Sequence, residues 1–366
     1  MKTESSPSAK IRSRTYTLTD PHAVKDEWAE REVRDGWVAV EPTLASICHA
    51  DLRYFGGQRR PEMLEKKLPM ALLHEGIGIV KESHAQSRVL GERVAIVPYV
   101  PGYLMQGVEP AECCDACSGN IPANYCANSK FLGSGYDGIA QSRVVVPQEN
   151  AIPIPDHVPD EIAVLAELCS VSFRALRRVK DRLENATVAV FGDGPVGYMT
   201  AAALRYGFGV APERLIVFGA VPEKLKPFYF AEARQVQQYD FAGSSKVDIV
   251  VECTGGKFSE SALNQGIQLL KPCGDLIALG VSEEFVPLNT RDILEKGIRM
   301  YGSSRSTALD FHEVLEAMGN VEYQRALRQL VPEEYTVVRR ADDFVGAMES
   351  ALSHRDWKKS YLNFSW

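Results

Sequence analysis

With 366 residues and a formal net charge of −7, the chain is long enough for about two domains. The sign of that charge argues against nucleic acid or an anionic membrane surface as its main partner. Hydrophobic residues make up 45% and charged residues 24%, ordinary proportions for a globular protein that buries a core. No apolar run nears the roughly 18 residues that span a bilayer, and the start lacks a signal-peptide core. Eight cysteines without a secretion signal read as ligands and core thiols, which points to a cytoplasmic enzyme.

In chain order, the first dozen residues read as a loose polar tail and residues 13–47 as a β-rich start, with short runs such as Trp37-Val-Ala-Val40. Ser46-Ile-Cys-His-Ala-Asp51 comes next. The segment from Arg53 to Lys67 then holds five basic and two acidic residues, so +5 − 2 gives a local +3. A solvated helix face is the ordinary account of such a run, and an anion site the functional one. Leu72-Leu-His-Glu-Gly76 follows, and Gly91 to Pro98 reads as a strand entered from a turn. Cysteines then crowd a loop from Cys113 to Cys126, and Ser134 to Gln141 is another turn into a strand.

Prolines at 147, 153, 155 and 159 mark a crossover into a second domain. From 160 to 305, strands at 187–191, 214–218, 248–251, 275–280 and 298–302 alternate with helical stretches. That rhythm predicts an α/β domain, a doubly wound parallel sheet with helices on both faces. After 305 the chain is mostly helical and charged, and it ends in a β-like run near Tyr361 to Phe364.

At the first strand of that domain, Gly192-Asp193-Gly194-Pro195-Val196-Gly197 stands where the apolar pattern changes from strand to helix. Gly192 makes the tight turn, Gly194 lets a pyrophosphate reach the backbone, and Gly197 lets helix and strand pack closely. Pro195 suits a first helical turn, and the free N–H groups there favour an anion. The next strand ends in Phe218-Gly219-Ala220, without the acid that binds a ribose 2′-hydroxyl. Gly219 leaves room for a 2′-phosphate and Lys224 can neutralise it, so NADPH is the expected cofactor. Ahead of this domain lie Cys48, His74 and Glu75, with Glu167 at its start. Thiolate, imidazole and carboxylate are donors that zinc accepts, and three protein ligands with one open position make a catalytic site.

Cys48-x-x-Asp51, His74-Glu75-Gly76, Gly91-Glu-Arg-Val94, Gly135-Tyr-Asp-Gly138 and the glycine turn, in this order, resemble the zinc-dependent medium-chain alcohol dehydrogenases. The resemblance implies a β-rich GroES-like catalytic domain formed by residues 1–154 and 306–366, with a Rossmann NADP-binding domain at 155–305 between them. It implies catalytic zinc on Cys48, His74 and Glu167, the last because Glu167-Leu-Cys-Ser-Val171 is similar to a ligand segment of the polyol dehydrogenases. Glu75 becomes an adjacent or exchanging ligand, and Asp51 the residue that orients His74. Ala50 stands where many members carry a hydroxyl that relays a proton, which leaves Glu75 or Tyr54 as the nearest relays. The family's structural zinc would fall to Cys113, Cys114, Cys117 and Cys126, although their spacing departs from the usual pattern. A reduced cysteine-rich loop is the other reading.

Asp51-x-Arg-Tyr54, Lys67-Leu-Pro-Met70, Asn289-Thr-Arg-x-x-Leu-Glu-Lys-Gly297 and Gly302-Ser-Ser-Arg-Ser306 resemble, more closely, the ribulose-5-phosphate reductases of wall teichoic acid and capsule synthesis. That implies NADPH-dependent reduction of a small sugar phosphate, D-ribulose 5-phosphate, to D-ribitol 5-phosphate, which a separate cytidylyltransferase then activates. Arg53, Tyr54, Arg59 and Lys67 are the candidate phosphate ligands, and Arg305 a further cation for cofactor or substrate. A homodimer is the family's habit. Another polyol or polyol-phosphate dehydrogenase, or a catalytically silent NADPH-binding protein, are the competing expectations.

Overall fold

A long hairpin opens the described chain, with Ala9–Asp20 antiparallel to Ala23–Val33 and Ala9 opposite Val33. The computed structural model describes residues 9–353 and 357–366. The strand therefore begins inside the stretch expected to be a loose tail. The physical reason is Ile11, which packs on a small apolar cluster of Val33, Trp37 and Ala39. Residues 1–8 of that expectation lie outside the described residues.

The main sheet of the first unit has seven strands. Along it lie Ala151–Pro153, Arg93–Ile96, Glu75–Ser83, Trp37–Ser46, Tyr361–Phe364 and Thr336–Val338, and Val144–Pro147 also pairs with Trp37–Ser46. Trp37–Ser46 is the spine of this sheet: apolar at most positions and buried along most of its length, it packs on both faces. Its Pro42, which cannot donate to a ladder, sits where the register with Glu75–Ser83 slips. The C-terminal strand lies against the same spine, with Tyr361 opposite Ser46.

The second unit is built on six strands, every neighbouring pair parallel. Their order is Glu232–Gln235, Leu215–Gly219, Val188–Phe191, Val247–Glu252, Leu270–Ala278, Arg299–Gly302. Successive strands run outward on one side of Val188–Phe191 and then on the other. That reversal opens a crevice at the carboxyl ends of the central strands, where such sheets bind ligands. Five of these strands fall where the apolar runs predict them. Glu232–Gln235 does not, because three of its four residues are polar and the fourth, Ala233, is exposed, which leaves no apolar signal.

The chain divides into two compact units, the first reaching to Glu167 and including Ser306–Glu316 and Val331–Trp366, the second comprising Leu168–Arg305 and Ala317–Leu330. The boundaries differ from 154/155 and 305/306 for reasons visible in the contacts. Arg93 pairs with Asp160, and the Tyr361 hydroxyl donates to Glu161 O at 2.9 Å, which ties residues 155–167 to the first unit. Tyr198 donates to Ala326 O at 2.9 Å and Tyr206 stacks on Tyr323, which ties Ala317–Leu330 to the second.

Candidate active site

Three strand ends meet at one buried place in the first unit. Ser46 lies opposite Glu75 in the antiparallel ladder, so Cys48, two residues on, arrives beside His74 and Glu75. Sγ of Cys48, a ring nitrogen of His74 and a carboxylate oxygen of Glu75 all lie within 4.8 Å of one another. The donor set suits zinc.

Asp51, fully buried in the helix His49–Phe55, holds two of these segments together. Its Oδ2 accepts from the Cys48 N–H at 3.0 Å. Its Oδ1 accepts from the Leu73 N–H at 3.1 Å and lies 3.2 Å from His74 Nδ1. A proton on Nδ1 leaves Nε2 as the ligand atom, the usual way a carboxylate fixes a metal-binding imidazole. Leu73 itself has φ +72°, a left-handed conformation rare for leucine, at the corner just before His74.

Lys359 gave no signal in the sequence. It stands two residues ahead of the last strand and is buried, with Nζ 2.9 Å from Glu75 Oε2 and donating to Ile47 O at 3.0 Å. Burial, the largest influence on its ammonium, lowers its pKa, but Glu75, Cys48 and Glu167 together raise it above the ordinary value. Such a pair is costly to break, because either partner alone is a buried charge.

Glu167, in the first turn of the helix Ala166–Leu176, is buried but does not belong to the Cys48–His74–Glu75 group. Burial, partly offset by His74 and reinforced by Glu75, pushes its carboxyl up to about 7. Burial and the Glu75 charge likewise push the Cys48 thiol up. A dication held here would oppose both shifts, since it stabilises thiolate and carboxylate directly.

The four lobe cysteines also converge. Cys113, Cys114, Cys117 and Cys126 bring their sulfurs within 4.8 Å of one another, with Cys113 Sγ and Cys126 Sγ 3.8 Å apart. A zinc–sulfur bond of about 2.3 Å implies tetrahedral sulfur separations of roughly 3.8 Å. Cys113 closes the short helix Pro110–Cys113 and Cys114 is fully extended, so neighbouring residues reach one centre.

The basic segment forms a cluster in the same unit. Lys67 Nζ donates to Ser134 Oγ at 2.7 Å, and the Tyr54 hydroxyl lies 3.1 Å from the same oxygen. The Arg59 guanidinium stacks 4.8 Å over the Tyr54 ring, and Lys67 Nζ lies 5.7 Å from it. Burial would raise the phenol, but Lys67, Ser134 and Arg59 together lower it. Burial first, then the neighbouring Arg59 charge, lowers Arg53. Ser134, which the sequence reading placed only at a turn, therefore touches Lys67 and the Tyr54 phenol, with Arg59 stacked on that ring.

In the second unit a cavity of about 330 Å³ is lined by Gly192, Asp193, Gly194, Gly219 and Lys224 among others. Pro195 and Val196 open the helix Pro195–Ala202 directly after Gly194. A Cβ on Gly197 would lie 2.1 Å from Gly192 O, so only glycine lets the helix rest on the turn, and the space above Gly194 is clear for a pyrophosphate. Two sequence expectations change here. Arg305 does not line this cavity; it takes φ +62° in the segment after Gly302. The room left by Gly219 is filled by Asp193 and Leu225, whose Cβ and Cδ2 would each lie 2.7 Å from a Cβ at that position.

Residues 34–156 match the alcohol dehydrogenase GroES-like domain and residues 195–320 the zinc-binding dehydrogenase domain. The ribulose-5-phosphate reductase of Bacillus spizizenii is 34% identical over 96% of this chain and 99% of its own length. Ribulose-5-phosphate reductase 1 of Staphylococcus aureus matches at the same identity and coverage. The crystal structure of S. aureus TarJ in complex with NADPH superposes with a TM-score of 0.81 at 29% identity, covering 97% of this chain and all of that one. The chain belongs to the zinc-binding alcohol dehydrogenase family and, within it, to the group of the ribulose-5-phosphate reductases.

Proposed function

We propose that the chain reduces the ketone of D-ribulose 5-phosphate to D-ribitol 5-phosphate with NADPH. The observation that carries this reading is the presence, in one unit, of a largely buried zinc donor set and a cluster of two cations, Arg59 and Lys67, with the hydroxyls of Tyr54 and Ser134. The relatives named for the same reaction and the NADPH held by TarJ support it.

In this reading Cys48 and His74 hold the ion, with Glu75 or Glu167 completing the set. When bound, zinc supplies Lewis acidity toward the ketone oxygen. Asp51 fixes the His74 tautomer, and Lys359 compensates the Glu75 charge, so the donors bring less negative charge to the site. Arg53, Arg59 and Lys67 grip the phosphate, with Tyr54 and Ser134 donating to its oxygens. That remote grip orients the ketone for hydride transfer. Gly192, Asp193, Gly194, Pro195, Val196, Gly197, Gly219 and Lys224 form the NADPH site. Cys113, Cys114, Cys117 and Cys126 hold a second, structural zinc.

The enzyme acts in the cytoplasm, and its product is passed to a cytidylyltransferase. Among the described residues no helix is long and apolar enough to cross a membrane. The chain pairs as a homodimer through the edge strand Arg299–Gly302, a reading supported by the fully exposed Phe285 and half-exposed Met300 nearby in sequence.

The test is NADPH oxidation with ribulose 5-phosphate, free ribulose and other phosphorylated ketoses, with the product identified by mass and chromatography. Equal use of free ribulose would overturn the phosphate assignment. Preference for a different phosphorylated ketose would keep the chemistry and change the substrate.

A further inference from the structure

The end of the second nucleotide strand is where a Rossmann domain tells its two cofactors apart. An acid there binds the ribose hydroxyls of NADH, and a cation nearby accommodates the 2′-phosphate of NADPH. In this chain the strand ends in Gly219, and the acid comes from elsewhere. Asp193, between the first two glycines of the turn, lays its side chain against Gly219. Its Oδ2 accepts from the Ala220 N–H at 2.8 Å and the Val221 N–H at 2.9 Å. A Cβ on Gly219 would lie 3.0 Å from that same oxygen. The space over the glycine thus holds a carboxylate from another element, beside the Leu225 side chain. Asp193 and Lys224 line one cavity, and Lys224 makes no ion pair among the described residues.

We infer that Asp193 is a specificity-determining residue that limits the preference for NADPH. Its carboxylate, tied to two backbone donors, repels the 2′-phosphate that Lys224 attracts, and the balance of the two sets the discrimination. To swing away, the carboxylate must give up both backbone bonds, so the repulsion is built into the wall. The inference rests on the NADPH reading above and names the residue that opposes it.

Calorimetric titration of the purified chain with NADPH, NADH, 2′,5′-ADP and 5′-ADP tests this without turnover. Asp193→Asn keeps an oxygen for Ala220 and Val221 and removes the charge. NADPH and 2′,5′-ADP should then bind roughly tenfold more tightly, and NADH and 5′-ADP change by less than about twofold, as expected for removing one like charge a few ångströms away. Lys224→Ala should move the ratio the other way. An unchanged ratio in Asp193→Asn, or a shift toward NADH, overturns the inference. If that variant loses its cooperative thermal transition, Asp193→Ser is read by the same ratio. Wild-type protein that binds NADH more tightly would overturn the cofactor reading alone, because the direction of the Asp193→Asn change would still decide the role of Asp193.

Discussion

Two sulfur-bearing sites in one unit are held in opposite ways. The set of Cys48, His74 and Glu75 is drawn from separate parts of the chain and is fixed by sheet register, by Asp51 and by Lys359. The lobe set is local, from Cys113 to Cys126, and its own buried apolar residues are Tyr99, Ala116 and Cys126. A site assembled by a sheet keeps its shape without its ion. One supported by so few buried contacts depends on the ion for its shape, since metal binding there substitutes for a core.

The largest effect expected from breaking the first site is His74→Ala. Turnover should fall by at least about a thousandfold, as losing several kcal/mol of charge stabilisation implies, while the thermal midpoint stays near that of the wild-type protein. Zinc analysis and calorimetry on the same sample check both halves. A large drop in the midpoint would mean the ion, and not the register, holds the strand ends.

Lys359→Met tests the register more directly, because it leaves Glu75 buried without its partner. Breaking a buried pair in this way costs about 3–5 kcal/mol. Denaturant unfolding of the zinc-free protein should show that loss, and Lys359→Met with Glu75→Gln together should recover much of it. A loss below about 1 kcal/mol would show that water reaches the pair.

Asp51→Asn comes next in size. The amide still offers an oxygen to one N–H, but it cannot stabilise His74 as the carboxylate does. A decrease of about 10- to 100-fold in zinc affinity or turnover is expected, the usual range for partners of metal ligands. Metal-competition titration measures it, and an unchanged affinity would leave Asp51 with a purely structural role.

The sequence and the structure diverge in an instructive place. Cys48, His74, Asp51 and the glycine turn were legible because their chemistry is restricted and their neighbours repeat a pattern. Lys359 was not, since one lysine before a short apolar strand looks like any surface residue. Only the pairing of Tyr361 with Ser46 carries it beside Glu75. Gly219 was legible as a gap but not as an occupied one, because Asp193 reaches it from another loop. Glu232–Gln235 was hidden because an edge strand need not bury an apolar face. Ladders and side-chain reach, both properties of the fold, supplied what local pattern could not.

The smallest effect on activity, and the sharpest on the comparison, belongs to the lobe. Three of the four lobe cysteines, Cys113, Cys114 and Cys117, are only half-buried, whereas His74 and Glu75 of the other set are buried. Half-buried sulfurs offer a chelator a route that the buried His74 and Glu75 do not. Treatment with a mild chelator should therefore release zinc in two phases, the lobe first. After the first phase, turnover should remain within about threefold of its starting value, because the ligands and Asp51 are held by the sheet. Limited proteolysis should then cut between Gly107 and Ile121, where the chain has lost what ordered it. Cys117→Ser should reproduce the cleavage without chelator. Simultaneous loss of both ions, with no difference in protease sensitivity, would mean that the two sites are held in the same way.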